Sequence, residues 1–165
     1  MAETTETTLA VTTPDRIETE RNLPVPIERV WAALTDPAEL CRWFGETAEV
    51  DLRPGGAMYL GFGADGDAHC VVETVEPPSR FAFRWEAEGS AALDLPVTPM
   101  TLVEFFLDPI PGGTRLRLVE SGFAALPESI RRSAHEGNIG GWQHELDELV
   151  ALVSSDDDDA RGPSS

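Results

Sequence analysis

The chain has 165 residues, 41% hydrophobic and 25% charged, which suits one domain burying roughly two-thirds of its unfolded surface without disulfides or a structural metal. Twelve basic residues stand against thirty acidic ones, a net charge of −18, and every basic residue is Arg. That charge works against nucleic acid and anionic membranes as partners, and the lack of Lys removes Schiff-base chemistry, pyridoxal phosphate anchoring and phosphate-loop chemistry.

No apolar run approaches the roughly 20 residues of a membrane span. The opening MAETTETTLAVTTPD lacks the basic and apolar regions of a secretory signal, so cytoplasmic residence is the expectation. Cys41 and Cys70 show no CxxC spacing and are expected to be reduced, half-buried fillers. His69, His135 and His144 lack zinc-site spacing, and neither a metal nor a cofactor is expected.

Residues 1–14 are Thr/Glu-rich and 154–165 carry the run Asp156–Asp159, so both ends are expected to be disordered tails around a domain at 15–153. Arg16–Leu23 alternates and predicts a strand. Pro24 and Pro26 end it, and Ile27, Val30, Trp31 and Leu34 then recur at helical spacing. Asp36-Pro37 starts a second short helix carrying Leu40, Trp43 and Phe44, which Gly45 stops.

From 47 to 121 the period becomes two. Ala48–Leu52 leads into the turn Arg53-Pro54-Gly55-Gly56, and Met58, Leu60 and Phe62 form the apolar face of the next strand. His69–Val75 and Arg80–Trp85 follow, the second with Phe81, Phe83 and Trp85 on one face. Residues 86–99 give no strand. Thr101–Leu107 and Thr114–Ser121 form a hairpin. A final helix is predicted over 127–153, with Ile130, Ala134, Trp142, Leu146 and Leu149 on its apolar stripe. Gly137, Gly140 and Gly141 interrupt it, each costing about 1 kcal/mol relative to Ala, so the helix bends or breaks there or a backbone passes close. The expected fold class is α+β: a curved antiparallel β-sheet around a long C-terminal α-helix, with a cavity between them.

Several fragments carry a resemblance. Val30-Trp31-Ala32-Ala33-Leu34-Thr35-Asp36-Pro37 with Trp43-Phe44, and Asp51-Leu52-Arg53-Pro54-Gly55-Gly56, resemble the family of homologues of the activator of heat-shock protein 90 ATPase. Val75-Glu76-Pro77-Pro78 with Phe83-Arg84-Trp85, Ser121-Gly122-Phe123, and Gly141-Trp142 with Leu146 and Leu149 are similar to its later strands and closing helix. The resemblance implies the START-like (SRPBCC, helix-grip) fold and its hydrophobic cavity. That superfamily includes lipid carriers, hormone-binding proteins, polyketide aromatases and cyclases, and self-sacrificing antibiotic-resistance proteins, so function must be argued from the site.

The expected cavity is bounded by Trp43, Met58, Leu60, Phe83 and Trp85, together with Val103, Phe105, Glu120 and Trp142; plain core packing is the competing explanation for each aromatic. Counting by twos from Leu116 and Leu118 puts Glu120 on the inward face, but the rarity of buried Glu favours the alternative, that the strand twists or bulges near its end and Glu120 reaches solvent. His135 lies seven residues before Trp142 on the same helix, and with Glu120 or Tyr59 would make an acid/base set. Arg53 is expected to brace its turn through backbone carbonyls or Asp51, and Arg84, Arg115 and Arg117 to face outward, leaving the inner sheet face without a cation. Neutral or weakly basic aromatic ligands are therefore expected over fatty acids and phosphorylated metabolites.

Three functions follow. The first is a binding or sequestering protein for a small hydrophobic or aromatic molecule. The second is a cyclase/aromatase-like enzyme or self-sacrificing resistance protein using Glu120, His135 or Tyr59. The third is a chaperone-associated interaction module whose outer face, marked by Phe106 and Val119, carries the function. A weak homodimer stays open.

Overall fold

The computed structural model describes residues 11–93 and 95–161; residues 1–10 and 162–165 of the expected tails lie outside the described residues. Its strands are β1 (Val11–Thr13), β2 (Arg16–Leu23), β3 (Thr47–Val50), β4 (Ala57–Gly61), β5 (Asp67–Glu76), β6 (Arg80–Glu86), β7 (Met100–Ile110) and β8 (Gly113–Ser121). Helices α1 (Ile27–Thr35) and α2 (Pro37–Trp43) follow β2, and α3 (Glu128–Arg161) closes the chain. All strand pairs are antiparallel, in the order β1-β2-β8-β7-β6-β5-β4-β3. The first long strand thus pairs with the last, and the others form a meander. The α+β architecture, a sheet gripping a long helix, is the expected one.

Local chemistry sets the junctions. α1 starts behind Pro26, whose φ of −63° suits a helix entry. Asp36 separates α1 from α2 and caps α2, its carboxylate accepting from the Ala38 N–H at 3.0 Å with Pro37 in the first turn. In the turn between β3 and β4, Gly55 sits at φ +84° and donates to the Val72 carbonyl at 2.8 Å. A Cβ on Gly56 would fall on the Asp51 carbonyl, so this glycine is required by space. Arg53 Nε bonds Asp51 at 2.9 Å, as expected for a brace within the turn.

The inner sheet face is apolar by alternation: Met58 and Leu60 on β4, Phe81 and Phe83 on β6, Val103 and Phe105 on β7, and Leu116 and Leu118 on β8 are all buried. Ala134, Trp142, Leu146, Leu149 and Val153 of α3 close over them. Burying a side chain of this size contributes roughly 1.5–3 kcal/mol, and this layer dominates the stability.

Several expectations are corrected. Val11–Thr13, assigned to the disordered tail, pairs with Arg16–Glu18. α3 continues past Val153 to Arg161, because no Gly or Pro interrupts the chain between Gly141 and Gly162. α3 also runs through its three glycines unbroken. The inner face does carry a cation: Arg21 is buried on β2 and donates to Gln143 Oε1 at 2.9 Å and Asp147 Oδ1 at 3.3 Å. Its position follows Ile17 and Thr19 by twos, but it lies near the sheet edge and is occupied by α3. Cys41 is exposed, whereas Cys70 is buried and its thiol is pushed up to about 12 by burial.

The outer face is closed by its own charges. The Arg80 and Arg117 guanidiniums lie 5.3 and 4.4 Å from the centre of the Phe106 ring, and they pair with Glu104 at 2.6 Å and Glu18 at 2.9 Å. Val119, flanked in register by Glu18 and Glu104, is buried. Val119 is therefore covered, and Phe106 is half-buried beneath two guanidiniums, so the pair does not form a continuous apolar patch among the described residues.

Candidate functional site

The site is organised by a carboxylate that solvent does not reach. Glu120 is on the inward face of β8 and is 0% exposed. Its Oε1 accepts from Trp142 Nε1 at 2.8 Å and Asn138 Nδ2 at 3.0 Å. Its Oε2 accepts from Trp85 Nε1 at 2.9 Å, Thr101 Oγ1 at 2.6 Å and the same Asn138 nitrogen at 3.0 Å. Sheet register makes this cluster: Trp85 on β6 is opposite Thr101 on β7, and Glu120 on β8 is opposite Val103, one inward step along. Asn138 and Trp142 are four apart on α3 and share a face. A buried carboxylate without such donors would cost several kcal/mol. Here every partner is a neutral side chain, and the indoles can only donate.

Fixing two indole nitrogens on one carboxylate fixes the rings. Trp85 and Trp142 stack with centroids 5.5 Å apart and planes 25° apart. Phe44, just after α2, lies 5.9 Å from Trp85 and 5.5 Å from Trp142. This cluster forms one wall of a cavity of about 620 Å³, within the range of small-molecule sites. Phe62 and the β4–β5 turn, the segment 86–90 after β6, and the Gly137–Glu145 stretch of α3 make up the rest of its lining. Gly137 and Gly141 line it, while Gly140 does not; a Cβ at Gly137 would meet Glu88 Oε1 at 2.6 Å, a side chain rather than the expected backbone, whereas one at Gly141 meets nothing within 4 Å. The helix is thinned where it borders the space.

The rim is acidic: Asp65, Asp67, Glu86, Glu88 and Glu145 line the cavity, and none of its described lining residues is basic. Burial pushes the Glu145 carboxyl up to about 7, with Glu148 raising it further and His144 opposing. Among the described residues, no cluster of His, Cys, Asp and Glu is arranged to hold a metal.

Of the residues expected at the site, Trp85 and Trp142 line the cavity, and Glu120 lies directly behind them. Met58, Leu60, Phe83, Val103 and Phe105 do not; each is at most 2% exposed in the closed core beneath. Trp43 is turned away, donating its Nε1 to the Ala33 carbonyl at 2.8 Å, and borders a neighbouring cleft of about 340 Å³. The acid/base set is not assembled. His135 lies within 3.4 Å of the Arg16 carbonyl and packs edge-on against Phe123, and it is not among the Glu120 partners. Tyr59 is on the opposite sheet face, where its hydrogen bond to Asp67 pushes the phenol up. Asn138, Thr101 and the acidic rim escaped sequence reasoning. The spacing of Asn138 from Trp142 was the available signal; Thr101 needed the register.

Two outcomes follow. Glu120→Ala leaves two indoles, an amide and a hydroxyl without their acceptor at about 1–3 kcal/mol per buried group, so urea unfolding should show a loss of at least about 3 kcal/mol. A loss below 1 kcal/mol would show that the cluster is not a structural anchor. Glu145 has a folded pKa above its ordinary value, so its stability contribution is fully present below the usual carboxylate range and is lost as pH rises through about 7. Thermal unfolding of Glu145→Gln should match the parent near about pH 4, gain on it up to about pH 7, and hold that advantage above. A constant difference across this range would contradict the burial argument.

The family model described as Activator of Hsp90 ATPase homolog 1-like protein matches residues 24–154. Among solved structures, protein MLL2253 from Mesorhizobium loti is 26% identical, with 85% of this chain and 97% of that one covered and a TM-score of 0.72. CalU16 from Micromonospora echinospora is 27% identical over 92% of this chain and 87% of its own, TM-score 0.64. DynU16, a protein in the dynemicin biosynthetic locus, is 26% identical over 85% of this chain, TM-score 0.69, and this chain spans 47% of it. No curated protein matches the sequence significantly. With the family model covering most of its length and the helix-grip architecture in place, the chain belongs to the Activator of Hsp90 ATPase homolog 1-like family.

Proposed function

We propose that this protein binds or sequesters a small hydrophobic, aromatic molecule in the cavity between the sheet and α3. The supporting observation is the Trp85–Trp142–Phe44 wall, held from behind by Glu120 and facing an open space of about 620 Å³. A core that served packing alone would have filled that space. The helix instead places Gly137 and Gly141 beside it, at a cost of about 1 kcal/mol each relative to Ala. No nucleic acid or membrane is required: the −18 charge opposes both, and among the described residues no helix is long and apolar enough to cross a membrane.

A second reading, an enzyme or self-sacrificing protein acting on such a molecule, draws support from the similarity to DynU16 and its biosynthetic locus. It needs a free acid or base in the cavity. Glu120, the buried candidate, is occupied by four donor groups, so binding is favoured.

The test fills the cavity without disturbing the fold. Gly141 has open space around an added Cβ, so Gly141→Leu should fold and project into the pocket. Titration with naphthylethanol should change the parent tryptophan fluorescence saturably, and Gly141→Leu should bind at least tenfold more weakly. No saturable binding to the parent, or equal binding by both, would overturn the reading.

A further inference from the structure

The chemistry around the cavity narrows the ligand, on the ligand-binding reading above. Two independent features agree in sign. Behind the aromatic wall, Glu120 is wholly buried with neutral donors only and no cation among them. In front of it, five acidic residues line the rim, two of them (Asp67 and Glu86) with their carboxylates engaged by Tyr59 and His69, and none of the described lining residues is basic. Between them, the Trp85, Trp142 and Phe44 rings border the same space, and an indole attracts a cation through its ring quadrupole.

We propose that the ligand carries a protonated amine, which sits against the Trp85, Trp142 and Phe44 rings and pairs with Glu145 and Glu88. Of the five acidic lining residues, these two border the glycine-thinned stretch of α3. Glu86 has His69 within 3.8 Å, and Asp67 holds the Tyr59 hydroxyl. Among the described residues Glu145 has no hydrogen-bond or ion-pair partner; its charged neighbours on α3 are His144 and Glu148. From the facing elements, Arg42 and Glu46 around α2 and Asp65 of the β4–β5 turn border the adjoining cleft, and Arg42 is 3.5 Å from Glu39. Glu88 reaches over Gly137, where the missing side chain leaves its carboxylate beside the cavity.

An ammonium beside these carboxylates gains charge-assisted hydrogen bonds in a half-buried setting, and its neighbouring carbons gain contact with indole faces. A ligand carboxylate there would be repelled by Glu88 and by ionised Glu145 and would find no basic residue in the described lining. Because burial holds Glu145 protonated up to about 7, an amine that draws out its proton should bind more tightly as pH rises from about 5.5 to about 8.

The experiment is calorimetric titration of the full chain with three probes of matched size: naphthylethylamine, naphthylethanol and naphthylacetate. The amine should bind at least tenfold tighter than the alcohol, and the acetate should be weakest. In Glu88→Gln/Glu145→Gln the amine-to-alcohol ratio should fall to near unity. Raising salt to about 0.5 M separates local pairing from the overall charge, because it screens exposed charges beyond a few ångströms. A ratio near unity in the parent overturns the proposal while leaving aromatic binding intact. So does a ratio that survives the double substitution, or one that salt alone abolishes. Failure of all three probes to bind overturns the binding reading and this proposal together.

Discussion

A buried carboxylate holding two indoles is the constraint on which this molecule turns. Glu120 lies where β8, β7 and β6 come into register beneath α3, and its oxygens reach one donor on β6, one on β7 and two on α3. Apolar contacts could press α3 onto the sheet in many ways. Hydrogen bonds of fixed length and direction select one of them, and the penalty for leaving the carboxylate unsatisfied enforces the choice. The position of α3 along the sheet, the stacking of Trp85 on Trp142 and the shape of the wall they form follow from that selection.

The cavity is what remains when that wall is fixed and the helix facing it is thinned. Glycines at 137 and 141 give up helix propensity on the side where Glu88 and open space lie. Away from this region the interior is closed, from Met58 and Leu60 through Phe83 to Val103 and Phe105. The distribution of charge follows the same division. On the outer face, acids are matched by Arg80, Arg84, Arg115 and Arg117 across the strands. At the rim, Glu88 and Glu145 have no Arg partner among the described residues, so the excess negative charge of the chain has a local expression beside the aromatic wall.

Much of the architecture was legible because it rests on period. Alternation with Gly and Pro punctuation marked most of the strands, and the apolar stripe of α3 marked the closing helix. The site was legible only where period places a side chain, as for Trp85, Trp142 and the inward Glu120. Period cannot tell a ring in the core from one beside a void, so Phe83 and Phe105 were expected at the cavity although they lie beneath it. Nor can it show which strands meet, and Thr101 is at the site solely through its register with Trp85 and its distance to Glu120. The rim belongs to turns and to the segment after β6, where composition carries no direction. Arg21 alternates with Ile17 and Thr19 onto the inner face, but the outward expectation rested on Arg84, Arg115 and Arg117 alone and did not weigh it.

The central claim, that the indoles tied to Glu120 are the ligand-contacting surface, is tested by the four tryptophan indole N–H signals in a heteronuclear NMR titration. With naphthylethylamine added, the Trp85 and Trp142 signals should shift together and saturably. Trp43, whose N–H is held by the Ala33 carbonyl, and Trp31, packed on Phe81, should stay in place. Shifts confined to Trp31 or Trp43, with Trp85 and Trp142 unmoved, would contradict the account.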